Sequence, residues 1–174
     1  MASITKALAH VIQDENLFVH EVIKTSEAPD QFRSEFTIDG EHPYLYENPA
    51  IANHVSGTSF LDVSRQLLKA ITHLYYGVPL ANRFVIREVA LDFQRWAKLR
   101  VPIQATLEPT IRHKTVLGEM CIAFDGTINF TQEGRRLGTM KGKFMTFSVE
   151  VENKLLSRQY QQKPLEEATT ECLA

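Results

Sequence analysis

The chain has 174 residues, 44% hydrophobic and 23% charged, with a formal net charge of −2. That length suits one domain with a fair core, and the near balance of charge excludes a general pull toward nucleic acid or a membrane surface. The two cysteines, Cys121 and Cys172, are too few and too isolated for a disulfide framework or a cysteine zinc site.

The opening residues are broken by Lys6 and His10 and hold no apolar run of signal-peptide length. No stretch approaches the roughly 20 apolar residues that cross a bilayer. The expectation is a cytoplasmic protein with reduced thiols, no membrane span and no nucleic-acid partner. Residues 1–16 read as an N-terminal extension able to form a short helix, 17–152 as the domain, and 153–174 as a polar tail that is a frayed helix or disordered.

Within the domain, residues 17–25 carry enough β-branched and aromatic side chains for a strand, closed by a turn at Glu27-Ala28-Pro29-Asp30. Residues 31–39 alternate Phe32, Ser34, Phe36 and Ile38 and end at Asp39-Gly40, a turn signal. Residues 41–49 hold two prolines and predict an irregular connection with its aromatics turned inward.

A long helix follows. At about 100° per residue, Phe60, Val63, Leu67, Ala70, Ile71, Leu74 and Tyr75 share one broad side. Asp62, Arg65, Gln66, Lys69 and His73 fall within a sector of about 100° on the other side. Gly77 stands where a left-handed cap is expected and Pro79 prevents continuation, which predicts about five turns.

Strand patterns return at residues 83–95 and 101–108, the latter beginning near Pro102. Residues 115–130 form a long run that Asp125-Gly126 interrupts, giving two strands or one bent strand. Residues 137–151 alternate Met140, Gly142, Phe144 and Thr146 against Lys141, Lys143, Met145 and Phe147. Two strands, one long helix and about four more strands predict an α+β domain. The simplest burial for the helix is an antiparallel sheet curled around it, which is the hotdog architecture. Its open edge strand predicts a homodimer.

The order His54-Val55-Ser56-Gly57, then Asp62, then Arg65-Gln66 resembles the helix-start motif of the A-factor biosynthesis (AfsA-type) hotdog family. The resemblance continues through residues 73–80 and 83–93, and upstream through 18–22 and 41–46. There are two departures: one repeat stands where many members have two, and Asp62 takes the place of a more usual Glu. The resemblance implies transfer of an acyl group from an acyl carrier protein to a glycerol-type hydroxyl, on the way to a γ-butyrolactone signal. It implies no bound cofactor, with a phosphopantetheine or CoA thioester as substrate carrier and a small-molecule acyl acceptor. A looser resemblance joins Gly57, Asp62 and Gln66 to the Gly, acid and Gln spacing of hotdog 3-hydroxyacyl-thioester dehydratases, whose catalytic His lies further ahead of the glycine than His54 does.

An acyl thioester needs a groove for its chain, donors for its carbonyl oxygen, and an acid or base near the reacting carbon. A helix start supplies unpaired N–H groups, which makes Gly57, Thr58 and Ser59 the candidate carbonyl binders. His54 is the candidate general base, because an imidazole titrates near neutrality. Asp62 either orients that imidazole, positions a hydroxyl or acts as base itself, and Arg65 and Gln66 are candidates to position substrate. The structural alternative is that His54 and Ser56 cap the helix and Asp62 supports its first turns. His73 is expected to make a structural hydrogen bond. Trp96 with Phe93 lines an acyl tunnel or belongs to the core, and the basic groups 112–114, 135–136, Lys141 and Lys143 either receive an anionic partner or lie on turns and outward strand faces. There is no P-loop, Rossmann glycine pattern or Gly-x-Ser-x-Gly elbow. The six histidines make no metal-ligand pair at helical spacing. Dehydration, thioester hydrolysis and a non-catalytic acyl-binding or partner-binding subunit stay open beside acyl transfer.

Overall fold

A computed structural model describes residues 1–27, 29–39 and 54–162. The elements run β1 (Ala2–Ser3), α1 (Lys6–Ala9), β2 (Glu21–Glu27), β3 (Asp30–Phe36), α2 (Gly57–Tyr76), β4 (Arg83–Phe93), β5 (Ile103–Val116), β6 (Glu119–Gln132), β7 (Arg135–Phe147) and α3 (Val149–Gln162). The strands form one sheet in the order β1-β2-β3-β5-β6-β7-β4, with every pairing antiparallel. This is the α+β hotdog layout expected from the sequence.

Both ends of α2 are set by local chemistry. Ser56 Oγ accepts the N–H of Ser59 at 3.3 Å, and Gly77 ends the helix at φ 65° with its N–H on Thr72 O. Glycine adopts that left-handed conformation without the penalty of a Cβ. Phe60, Val63, Leu67, Ala70 and Ile71 are buried against Phe32, Phe36, Ile103, Leu107, Ile128, Phe130 and Met140 of the sheet. Phe60 sits at the centre of an aromatic group, 4.5 Å from the ring of Phe93 and 4.8 Å from that of Phe130. Burial of such side chains contributes roughly 1.5–3 kcal/mol each, so the helix stripe and the inner sheet face hold each other in place.

Three details differ from the pattern read in the sequence. Asp125-Gly126 does not interrupt a strand: the turn is at Leu117-Gly118, both left-handed with φ 52° and 84°, between the paired residues Val116 and Glu119. Gly126 runs through β6 because a Cβ there would meet the Phe124 ring at 2.9 Å and Leu107 at 3.1 Å. Residues ahead of the domain also pack on it. Ile4 donates its N–H to His20 O at 2.8 Å, and Ile4 and Ala9 are buried in the main core. Finally, the strand pattern read to residue 151 ends at Phe147, and α3 runs from Val149 to Gln162, a helix being one of the two readings of the tail, with Val151 buried against Cys121 and Phe147. The Asp39-Gly40 turn, the connection 41–49 and residues 163–174 lie outside the described residues.

Strand β4 is unlike the others. Among the described residues it pairs with β7 alone, and it is exposed along nearly its whole length. No helix among the described residues is long and apolar enough to cross a membrane.

Candidate functional site

The side chains singled out along α2 form a network anchored from the N-terminal segment. Asp62 Oδ1 accepts from Arg65 Nε at 2.8 Å and from Arg65 Nη2 at 2.6 Å. Its other oxygen, Oδ2, accepts from Gln66 Nε2 at 2.9 Å. The spacing i, i+3, i+4 puts all three on one helix face. Gln66 is fully buried and turns its remaining groups outward from the helix: Nε2 donates to Asn16 O at 2.7 Å and Oε1 accepts from Phe18 N at 3.0 Å. Gln66, expected to position substrate, therefore has both N–H donors spent within the protein. Arg65 keeps donors to spare and is partly exposed, as is Asp62.

At the helix start, Gly57 and Thr58 are exposed and Ser59 is buried. Ser56 Oγ lies 2.8 Å from Thr58 Oγ1 and 2.9 Å from Ser59 Oγ, so the three hydroxyls satisfy one another. His54 lies just ahead of this cap. Its ring meets Trp96 edge-on at 4.3 Å, and its backbone bridges to Lys98, beside a Val55 N–H bond to Ala97 O at 2.9 Å. Trp96 is 78% exposed, so it belongs to the surface and not to the core. A hollow of about 330 Å³ opens beside it, between Arg95, Lys98, Gln132, Glu133 and Arg135. Among the described residues no hydrogen bond joins His54 to Asp62: the structure brings Asp62, Arg65 and Gln66 together and holds His54 separately.

The feature that individual residues did not signal is a half-exposed apolar row on β4, which would form one wall of a slot. Register with β7 places Phe84, Ile86, Val89, Leu91 and Phe93 opposite Thr146, Phe144, Gly142, Met140 and Gly138, on the inner face. Phe93 closes one end against Phe60, and Phe84 reaches the other end beside His73 at 5.3 Å and His10 at 5.3 Å. Between them Ile86, Val89 and Leu91 are 44%, 37% and 37% exposed. An apolar row left half open on an inner sheet face asks for a cover. The apolar alternation of residues 83–93 was the available signal, and it says which face is greasy without saying how far that face is covered.

At the Phe84 end, Lys69 Nζ lies 5.6 Å over the ring of Phe84. Burial and the charge of Arg65 pull the Lys69 ammonium down to about 8, against the opposing carboxylate of Asp62. His10 and His73 stack, with their Nε2 atoms 2.9 Å apart, while His73 Nδ1 stands 2.6 Å from Val78 O. The carbonyl can only accept, so His73 carries its proton on Nδ1 and His10 donates from Nε2. Burial, Lys69, His73, Arg65 and Arg83 together lower His10 to about 4.

The basic groups lie elsewhere. Lys141 and Lys143 point to the outer sheet face, where Lys143 pairs with Glu88 and Arg112 pairs with Asp125 at 3.0 Å. His113 and Lys114 are exposed on β5, and Arg135 and Arg136 on β7. A hollow of about 340 Å³ on that outer face is lined by Glu88, Glu108, Asp125, Lys141 and Lys143, and so carries charges of both signs. No group of three or more metal-ligating side chains occurs among the described residues.

Comparison with known proteins gives the fold a family. The chain matches the model of AfsA, the A-factor biosynthesis hotdog domain, over residues 1–148. No curated protein matches it. Among solved structures it is similar to the dehydratase heterocomplex ApeI:P from Xenorhabdus doucetiae, with a TM-score of 0.65, 9% identity, and cover of 90% of this chain and 98% of that one. A hot-dog-like protein from Thermanaerovibrio acidaminovorans gives 0.56 at 14% identity, covering 75% and 90%. Zebra fish thioesterase superfamily member 2 gives 0.53 at 17% identity, covering 80% and 91%. At such identities the likeness shows the hotdog fold.

Proposed function

The chain belongs to the A-factor biosynthesis hotdog family, and from that premise we propose that it binds an acyl thioester, carried on an acyl carrier protein or on CoA, and transfers the acyl group to a hydroxyl acceptor. The observation that carries this reading is the half-open apolar slot along β4, bounded by Phe84 and Phe93. It offers a fatty chain a surface that the fold otherwise leaves wet.

In this reading the acceptor hydroxyl oxygen attacks the thioester carbonyl carbon and gives its proton to His54. The carbon–sulfur bond then breaks, and the leaving sulfur takes that proton to become the thiol. Thr58 and Gly57 at the exposed start of α2 present backbone N–H groups to the developing oxyanion. Asp62, oriented by Arg65 and Gln66, positions the acceptor hydroxyl, and Gln66 acts through Asp62 without touching substrate. A second copy pairing along the open edge of β4 closes the slot, so the working unit is a homodimer.

The test is product analysis. The protein is incubated with β-ketoacyl, 3-hydroxyacyl and saturated thioesters, with and without a glycerol-type acceptor. An ester that forms only with acceptor present supports transfer. Enoyl product or free acid in its place replaces transfer with dehydration or hydrolysis.

One observation favours a second reading. Both oxygens of Asp62 are engaged inside the protein, and His54 has no hydrogen bond to it. A non-catalytic subunit that holds an acyl ligand fits that arrangement. Its mark is thermal stabilisation by acyl thioester with no turnover of any of the three substrates.

A further inference from the structure

We propose that Lys69 is a covalent acylation site, whose Nζ takes the acyl group from a thioester held in the β4 slot and keeps it as an amide. The proposal rests on the reading of that slot as an acyl-thioester site and adds a second fate for the acyl group.

The geometry singles out this lysine. Lys69 follows Asp62 and Arg65 along one face of α2, and its ammonium lies over the face of Phe84, the residue that ends the slot. Among the described residues no carboxylate stands within ion-pair distance of it, whereas Lys24, Lys98, Lys143 and Lys154 each have one. Its amine is also easier to deprotonate than an exposed lysine's, with a pKa of about 8, because burial and Arg65 disfavour the charge. A desolvated lysine beside another cation is the usual form of a nucleophilic amine.

The step balances with no further reagent. The Nζ lone pair bonds to the thioester carbonyl carbon, the carbon–sulfur bond breaks, and the electron pair leaves on sulfur. The proton lost by nitrogen goes to that sulfur, giving an amide and a free thiol. The product removes the positive charge of Lys69 and leaves the acyl chain along Ile86, Val89 and Leu91. That chain fills the slot, so acylation records exposure to thioester and shuts the site.

The full chain is incubated at pH about 8 with octanoyl-CoA, and acylation of each lysine is followed by peptide mass spectrometry. Lys69 should acylate about tenfold faster than the exposed Lys114 and Lys141, a modest return on its more accessible free amine. A thioether analogue of octanoyl-CoA, which cannot transfer its chain, should protect Lys69 and leave Lys114 and Lys141 unchanged. Lys69→Arg should remove the fast-reacting site. Labelling spread evenly over the exposed lysines overturns the proposal, as does labelling of Lys69 that the analogue fails to suppress. A silent Lys69 in a protein that the analogue stabilises against heat overturns acylation alone. No stabilisation by the analogue and no turnover of thioester overturns the slot reading, and this proposal with it.

Discussion

Gln66 donates its side-chain N–H to Asp62 Oδ2 at 2.9 Å from a position wholly out of solvent. The same amide grips Asn16 O and Phe18 N, so a carboxylate on the central helix is held through the segment that precedes β2. Gln66→Leu keeps much of the volume but removes three hydrogen bonds, those to Asn16 O, Phe18 N and Asp62 Oδ2, at about 0.5–1.5 kcal/mol for each. We expect a loss of about 2–4 kcal/mol in urea unfolding. A change within about 0.5 kcal/mol, the range of ordinary surface substitutions, would mean that the N-terminal segment is not docked through this amide.

Asp62→Asn separates chemistry from support. The Arg65–Asp62 pair is partly exposed and such pairs contribute about 0.2–1 kcal/mol, so the fold should survive with little change in thermal midpoint. Turnover of the preferred thioester should fall about 10²-fold or more if Asp62 places the acceptor or moves a proton. His54→Ala should lower it to a similar degree, also with folding intact. Full activity in both variants removes the assigned roles and leaves the hotdog scaffold untouched.

The His10–His73 pair gives stability a pH dependence. The folded pKa of His10 lies at about 4, below its ordinary 6.5, so the folded protein disfavours the charged ring. The groups facing it are all basic: Lys69, His73 and Arg65 on α2, and Arg83 on β4. Because the unfolded chain takes up the proton more readily, this contribution is intact above 6.5, is lost as pH falls from there toward about 4, and changes no further below that. His10→Gln keeps an amide donor for His73 Nε2 and cannot titrate. The urea midpoint of the wild type should fall relative to that of the variant as pH drops through that window. Parallel curves would show that His10 titrates freely.

Gly138 tests the seam between β4 and β7. A Cβ at this position would stand 2.3 Å from Asp92 O and 2.8 Å from Phe93 Cα. Both are backbone atoms, so no rotamer change relieves the clash. Gly138→Ala should cost about 1–3 kcal/mol, as overpacked sites do, and should loosen β4 first. Hydrogen exchange should then quicken along residues 83–93 while the helix core stays protected. Gly142 is the contrasting case, because there the obstruction is the ring of Phe144, which can swing.

How much of this was legible depends on whether the cause is local. The apolar stripe from Phe60 to Ile71, the Gly77 cap and the alternation around Met140 and Phe144 are local patterns, and α2 and β7 follow them. The turn at Leu117-Gly118 was missed because it puts a leucine at φ 52°, a conformation that leucine seldom adopts, while Asp125-Gly126 carried the stronger turn signal. The residues of the Asp62 network were visible by spacing on one helix face. Their anchors were not, since Asn16 O and Phe18 N are backbone groups some 50 positions away that any sequence possesses. Openness of the slot is likewise a property of what fails to cover β4, and no residue of β4 encodes that.

That open strand leads to the last expectation. Among the described residues β4 pairs on one edge only, and its inner row of Ile86, Val89 and Leu91 is exposed in the single chain. An unpaired edge of 11 residues with apolar side chains invites pairing with an identical edge. Light scattering should therefore give twice the mass of one chain at micromolar concentration. Ile86→Lys with Val89→Lys changes two side chains that are 44% and 37% exposed in the protomer, and brings like charges together at a twofold interface at a cost of several kcal/mol. The double variant should keep its circular dichroism, run as a monomer and lose stabilisation by acyl thioester. A wild-type protein that stays monomeric on concentration would show that the slot is closed by something other than a second copy.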